Sequence, residues 1–256
     1  MASSTLGLVP VLSEVADTDK GRAKVEALRI LWNLAIAAEN KIPMATMPML
    51  RLLSRLCNEE KGKARVNALG VLWNLAIASE NKHRMLDPSL DLLSIIKSVV
   101  LTDKREARIE ALTLLCHISS SAANKFPVMN HPAGVLDMLR CVLIEDKGAA
   151  RMEALGALFN LADCQENKVP IVTSDVDILG VLRDIIVSDK AEARVEAIGI
   201  IWILAVVALN KEILSKPSLG IVAVLLAVLD QEKSGKAREN AIGALSNLGI
   251  TSLPLQ

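Results

Sequence analysis

Apolar residues recur three and four apart in a series of stretches along the chain, and polar segments bearing Gly or Pro separate them. That period belongs to helices with one buried side. LGLVPVLSEVA, from Leu6 to Ala16, has a Pro near its start and predicts a helix beginning near Leu8. After the turn DTDKG, a longer helix is predicted from Arg22 to Ala37, with Val25, Leu28, Leu31 and Leu34 on its core side. ENKIP then reads as the capped start of a short helix. A full unit is therefore a short first helix, a second helix and a long third helix, and the chain enters at a second. Further second helices are predicted near Met47 to Cys57, Pro88 to Leu101, Pro132 to Ile144, Asp175 to Val187 and Ser218 to Leu229, each followed by a long third. Pro10, Pro48, Pro88, Pro132 and Pro217 fall at or just before those starts, and Pro43, Pro127 and Pro170 fall in short first helices. None interrupts a third helix, where it would cost about 3 kcal/mol.

The plan repeats. An Asn-Lys pair stands at Asn40, Asn81, Asn124, Asn167 and Asn210, in steps of 41, 43, 43 and 43 residues. An independent anchor, Ala followed by Lys or Arg and three residues later by another Ala, falls at Ala23, Ala64, Ala107, Ala150, Ala193 and Ala237. A period of roughly 40 to 47 residues marks helical solenoids, whose units are too small to bury an apolar face alone and stack to do so. The expected architecture is all-α, a right-handed α-solenoid or superhelix forming one domain over residues 1–256. Its six units are expected at about 6–39, 40–80, 81–123, 124–166, 167–209 and 210–250.

With Asn33 as origin, its counterparts in the other long helices are Asn74, His117, Asn160, Ile203 and Asn247. At 100° per residue, the positions seven before, four before, zero and four after share one side, predicted to be exposed and to form a ladder along the stack. Seven before stand Glu26, Asn67, Glu110, Glu153, Glu196 and Asn240; four before stand Arg29, Gly70, Thr113, Gly156, Gly199 and Gly243. The line of carboxylates is the one charge pattern that stands out, although Glu also suits a helix N-terminal half for its dipole alone. A Gly in mid-helix costs roughly 1 kcal/mol relative to Ala, so its recurrence implies close approach of a neighbour. Ile203 with Val206 and Val207 makes the fifth unit's face apolar, a place for an apolar anchor. Glu239 and Ser246 put polar residues at formerly buried places in the last copy, as a capping end would. The N-terminal end is apolar instead, which suggests docking or self-association there.

Lys and Arg total 29 and so do Asp and Glu, so formal charge gives no drive toward nucleic acid or an anionic membrane. With no Tyr, three Trp and two Phe, platforms for base stacking are few. The longest apolar run, AIGIIWILAVVAL, has 13 residues and is too short to cross a bilayer. Cys57, Cys116, Cys141 and Cys164 show no paired spacing, and MASST does not read as a leader, so a cytoplasmic location is expected, with the nucleus also open to the protein. Catalysis is not expected. Cys116 and His117 are neighbours on a helix and point about 100° apart, and neither a phosphate-binding Gly loop nor metal-ligand spacing occurs. No catalytic residue, cofactor or metal is assigned.

EALRILWNLA at Glu26 and EALGALFNLA at Glu153 resemble the third helix of the armadillo repeat. LGLVPVL at Leu6 resembles that family's second helix, and ENK its short first helix. Acids five residues before an Arg, as in Asp103 to Arg108, Asp146 to Arg151 and Asp189 to Arg194, are similar to the ladder of the related HEAT family. The armadillo resemblance implies a concave groove in which Asn33, Asn74, Asn160 and Asn247 hydrogen-bond the main chain of an extended partner segment, with His117 and Ile203 as breaks. Nuclear import receptors of that family carry Trp one turn before the Asn; here Arg29 or Thr or Gly stands there, so nuclear-signal recognition is not expected. The function expected is a protein-interaction scaffold gripping a basic or neutral segment through those Asn, Glu26, Glu110, Glu153, Glu196, Arg29 and Ile203. The alternative is an assembly or regulatory subunit docking through its apolar N-terminal end, or a fragment of a larger armadillo or HEAT protein.

Overall fold

A computed structural model describes residues 7–250. Among them every regular element is a helix, and the helices cluster into two compact units that divide after residue 135. In the first unit, long helices Gly21–Ile36, Gly62–Ala76 and Glu106–Ser119 lie side by side, and second helices Val9–Thr18, Met47–Glu59 and Leu92–Thr102 pack on them. Short helices Ala38–Met44, Ser79–Lys82 and Ala122–Met129 connect or follow the layers. The second unit repeats the plan with long helices Ala149–Ala162, Glu192–Leu204 and Lys236–Asn247, second helices Val135–Glu145, Ile178–Ser188 and Ile221–Gln231, and short helices Gln165–Thr173 and Ala208–Leu214. No described helix is long and apolar enough to cross a membrane.

The core follows the predicted stripes. Leu28, Leu31, Leu69, Leu72, Leu112 and Leu115 are fully buried in the first unit, as are Leu155, Leu158, Ile198, Ile201 and Leu204 in the second. Val25 and Leu34, predicted as core, are half-buried. Most second helices start three or four residues later than the prolines suggested. Pro88–Leu90 and Pro217–Leu219 are single 3-10 turns, and the residue leaving each, Asp91 (φ 46) or Gly220 (φ 68), is left-handed before the helix proper begins. Gly takes that conformation freely, whereas Asp bears a cost that its short polar side chain keeps small.

The Asn-Lys pair is not the capped helix start that its sequence suggested. The residues preceding the short helices, Ala37, Ala78, Ser121, Cys164 and Val207, make no side-chain cap. The Asn instead reaches back to finish the preceding long helix. Asn40, Asn81, Asn124, Asn167 and Asn210 donate to the carbonyls of Leu34, Leu75, Ile118, Leu161 and Leu204, six residues earlier, at 2.8 to 3.0 Å. The same Nδ2 of Asn81, Asn124 and Asn210 also donates to Lys41, Lys82 and Lys168 of the short helix one repeat before. Lys41 and Lys168 direct their ammonium groups to Ala35 and Ala162, so Asn and Lys together satisfy carbonyls that a helix end leaves open. Burial lowers the Lys41 pKa.

The acid and Arg pattern joins neighbouring repeats in a way that spacing alone did not give. Asp103 and Asp189 offer their backbone carbonyls to Arg108 and Arg194, five residues on. Their carboxylates pair with the Arg of the preceding repeat, Arg65 to Asp103 at 2.6 Å and Arg151 to Asp189 at 3.6 Å. Lys24 with Glu60 and Arg194 with Glu232 continue the scheme at 2.6 and 2.9 Å. All four cationic side chains are about nine-tenths buried or more, so these pairs are screened little by solvent.

Candidate groove of the long helices

The face predicted to be exposed is shaped by aromatic rings laid across glycines. Were Gly70 an Ala, its Cβ would stand 2.6 Å from the indole carbons of Trp32, and a Cβ on Gly243 would stand 2.6 Å from Trp202. Phe159 lies more loosely over Gly199, at 3.5 Å. The mid-helix glycines thus admit a ring from the preceding long helix, one residue before the Asn position of that helix. Gly70→Ala and Gly243→Ala are each expected to destabilise the protein by about 1–3 kcal/mol by overpacking, although Ala favours the helix by about 1 kcal/mol. Gly199→Ala meets ordinary contacts and is expected to be neutral or stabilising. Urea unfolding of the three variants checks this contrast.

In the first unit Asn33 and Arg29 are exposed, and Arg29 holds Glu26 in an ion pair at 2.7 Å. Asn74 departs from the expectation of an open ladder. It is 3% exposed, and its Nδ2 donates to Gly70 of its own helix at 2.9 Å. Glu110 accepts a hydrogen bond from the Trp73 indole nitrogen, and Trp73 stacks on His117 with ring centroids 5.8 Å apart and planes 11° from parallel. Burial, and then the positive charges of Lys82 and Lys41, lower the His117 pKa. Asn67, at the position that carries Glu in four copies, is buried and bridges to the Val25 carbonyl of the helix before it at 3.0 Å.

In the second unit Glu153, Asn160, Glu196, Ile203 and Asn247 are all half-buried. Asn240 repeats the part of Asn67, donating to Val195 at 3.2 Å, and Asn247 donates to the Trp202 carbonyl at 3.2 Å. Glu196 has no hydrogen bond or ion pair with another described residue. Desolvation, with the like charge of Glu192 adding to it, raises its pKa above the usual carboxylate range. Trp202 and Val206, 41% and 50% exposed, form an apolar shoulder one residue off the face.

Of the predicted residues, Asn33 and Arg29 are exposed, Glu26, Glu110, Glu153, Asn160, Glu196, Ile203 and Asn247 are half-buried, and Asn74 is buried against its own helix. The rings on glycine were missed by sequence reading. Their signal was a Trp or Phe one before the Asn followed by a Gly four before the next Asn, 38 to 41 residues later. No three His, Cys, Asp or Glu side chains among the described residues are grouped to hold a metal ion.

A family model described as the ARM repeat region of plant U-box proteins matches residues 2–247. No curated protein matches the chain. Among solved structures, a designed armadillo repeat protein is similar with a TM-score of 0.81 at 19% identity, over 94% of this chain and 99% of that one. A designed armadillo repeat protein in complex with the peptide (KR)4 gives 0.82 at 19% identity, over 94% and 99%. A structure of computationally designed armadillo repeat proteins for modular peptide recognition gives 0.83 at 18%, over 93% and 99%. These likenesses establish the armadillo fold.

Proposed function

Because the chain belongs to the family of ARM repeat regions of plant U-box proteins, we propose that it is a non-catalytic protein-interaction scaffold. It holds an extended, basic or neutral segment of a partner along the groove face of its long helices. The observation that carries this reading is Glu196, a half-buried carboxylate that no described residue pairs. A carboxylate in that state gains from an incoming cation more than an exposed one does, since its desolvation is already incurred. Asn160 stands seven residues after Glu153 on the matching face of the preceding long helix, and its amide has both the donor and the acceptor that an unpaired strand needs. A peptide of Lys and Arg in complex with a designed armadillo protein supports the basic character of the segment by analogy. None of the four cysteines is in a disulfide, which fits an intracellular setting.

A fluorescein-labelled octapeptide of alternating Lys and Arg is the test probe. Glu196→Gln is expected to weaken its binding at least tenfold in anisotropy titrations, and Asn160→Ala several-fold, with helicity intact. Equal affinity for the wild type and Glu196→Gln refutes the groove assignment.

A further inference from the structure

In the first unit the ring-on-glycine packing fails at one step. Trp32 lies over Gly70, but the next helix carries Thr113 where Gly70 stands. Trp32 comes within 2.6 to 2.8 Å of where a Cβ on Gly70 would be, so a Thr side chain denies Trp73 the equivalent place. Thr113 is held in turn by its hydroxyl, which donates to the Ile109 carbonyl at 3.0 Å. The displaced indole finds two other contacts on the same helix. Its N–H goes to the Glu110 carboxylate and its face goes to the His117 ring. Glu110 and His117 flank Thr113 at the seven-before and zero positions, which are the two places that a bound segment would use on this helix.

We propose that Trp73 is a specificity-determining plug, whose indole occupies the groove face of helix Glu106–Ser119 and denies Glu110 to a cationic side chain of a partner. The inference rests on the groove reading above and adds which part of the first unit is closed and what closes it. A cation approaching Glu110 competes with an indole N–H already bonded to one carboxylate oxygen and with the bulk of the ring, and a strand passing His117 meets a stacked pair. Burial and the nearby Lys41 and Lys82 favour a neutral imidazole, which stacks on the indole without a buried charge. Arg29 and Asn33 on the first long helix remain exposed, so selection in this unit falls on what they can engage. Thr113 sets the arrangement through the ring, as a positioning residue.

Thr113→Gly gives Trp73 the place that Trp32 has and takes the indole off Glu110 and His117. Trp73→Ala removes the plug outright. Against the Lys-Arg octapeptide, both variants are expected to bind at least tenfold tighter than the wild type, and Thr113→Gly with Glu110→Gln is expected to lose that gain. Affinity unchanged or weaker in both single variants, with far-UV circular dichroism retained, overturns the plug. Glu196→Gln in the wild-type background reports separately on the groove reading. A tenfold loss there beside unchanged Thr113→Gly and Trp73→Ala rejects the plug and keeps the groove.

Discussion

Arg194→Ala is expected to lower the free energy of unfolding by about 3 kcal/mol, read as a shift in the urea midpoint. Its guanidinium, 5% exposed, donates through Nε to the Asp189 carbonyl at 2.7 Å and through Nη1 to Glu232 at 2.9 Å. Truncation leaves a carbonyl and a mostly covered carboxylate in the second unit without their donor, and breaking such a pair is costlier than never having built it. Arg194→Lys is expected to recover only part of the loss, because one ammonium on a flexible stem cannot reproduce the planar fork that meets both acceptors. A loss below about 1 kcal/mol for the Ala variant would mean that the Arg and acid ladder contributes no more than a surface pair.

Asn210→Ala is expected to cost about 2–4 kcal/mol, for a different reason. One Nδ2 serves the carbonyls of Lys168 and Leu204, at 2.9 and 3.0 Å, in a side chain with no exposure, and each orphaned acceptor is worth about 1–3 kcal/mol. The amide oxygen of the same residue has no hydrogen-bond partner among the described residues, so it is the donor side that the fold exploits. Asn130→Ala is the control. That Asn also donates to a backbone carbonyl, Phe126 at 2.9 Å, but at the surface, and its loss is expected to stay within about 0.5 kcal/mol.

The helical plan was legible because it rests on local signals, the 3.6-residue period and the exclusion of proline from the long helices, and these agree from copy to copy. The starts of the short helices were not. ENK lies where a capping signal for the helix ahead would lie, but Asn81 acts backward on Leu75 and sideways on Lys41. Nothing in the spacing gives the direction of a side chain that can satisfy either end of a turn. The expected open face is exposed at Asn33 and half-buried at Asn160, whereas Asn74 is buried and Glu110 takes the Trp73 indole N–H. The residue at the place of Gly70 on the helix of Glu110 is Thr113, 40 positions from that Trp. Contacts between repeats, each set by one small residue, escape a reading made repeat by repeat.

The most direct measurement of the central claim is site-specific photocrosslinking with the Lys-Arg octapeptide, placing benzoylphenylalanine at Ile203 on the groove face or at Val187 on a second helix. Ile203 is half-buried on a long helix, and Val187 is 60% exposed on the helix Ile178–Ser188. The account predicts a peptide adduct from position 203 and none from position 187. An adduct from position 187 alone, or none from either at saturating peptide, contradicts it.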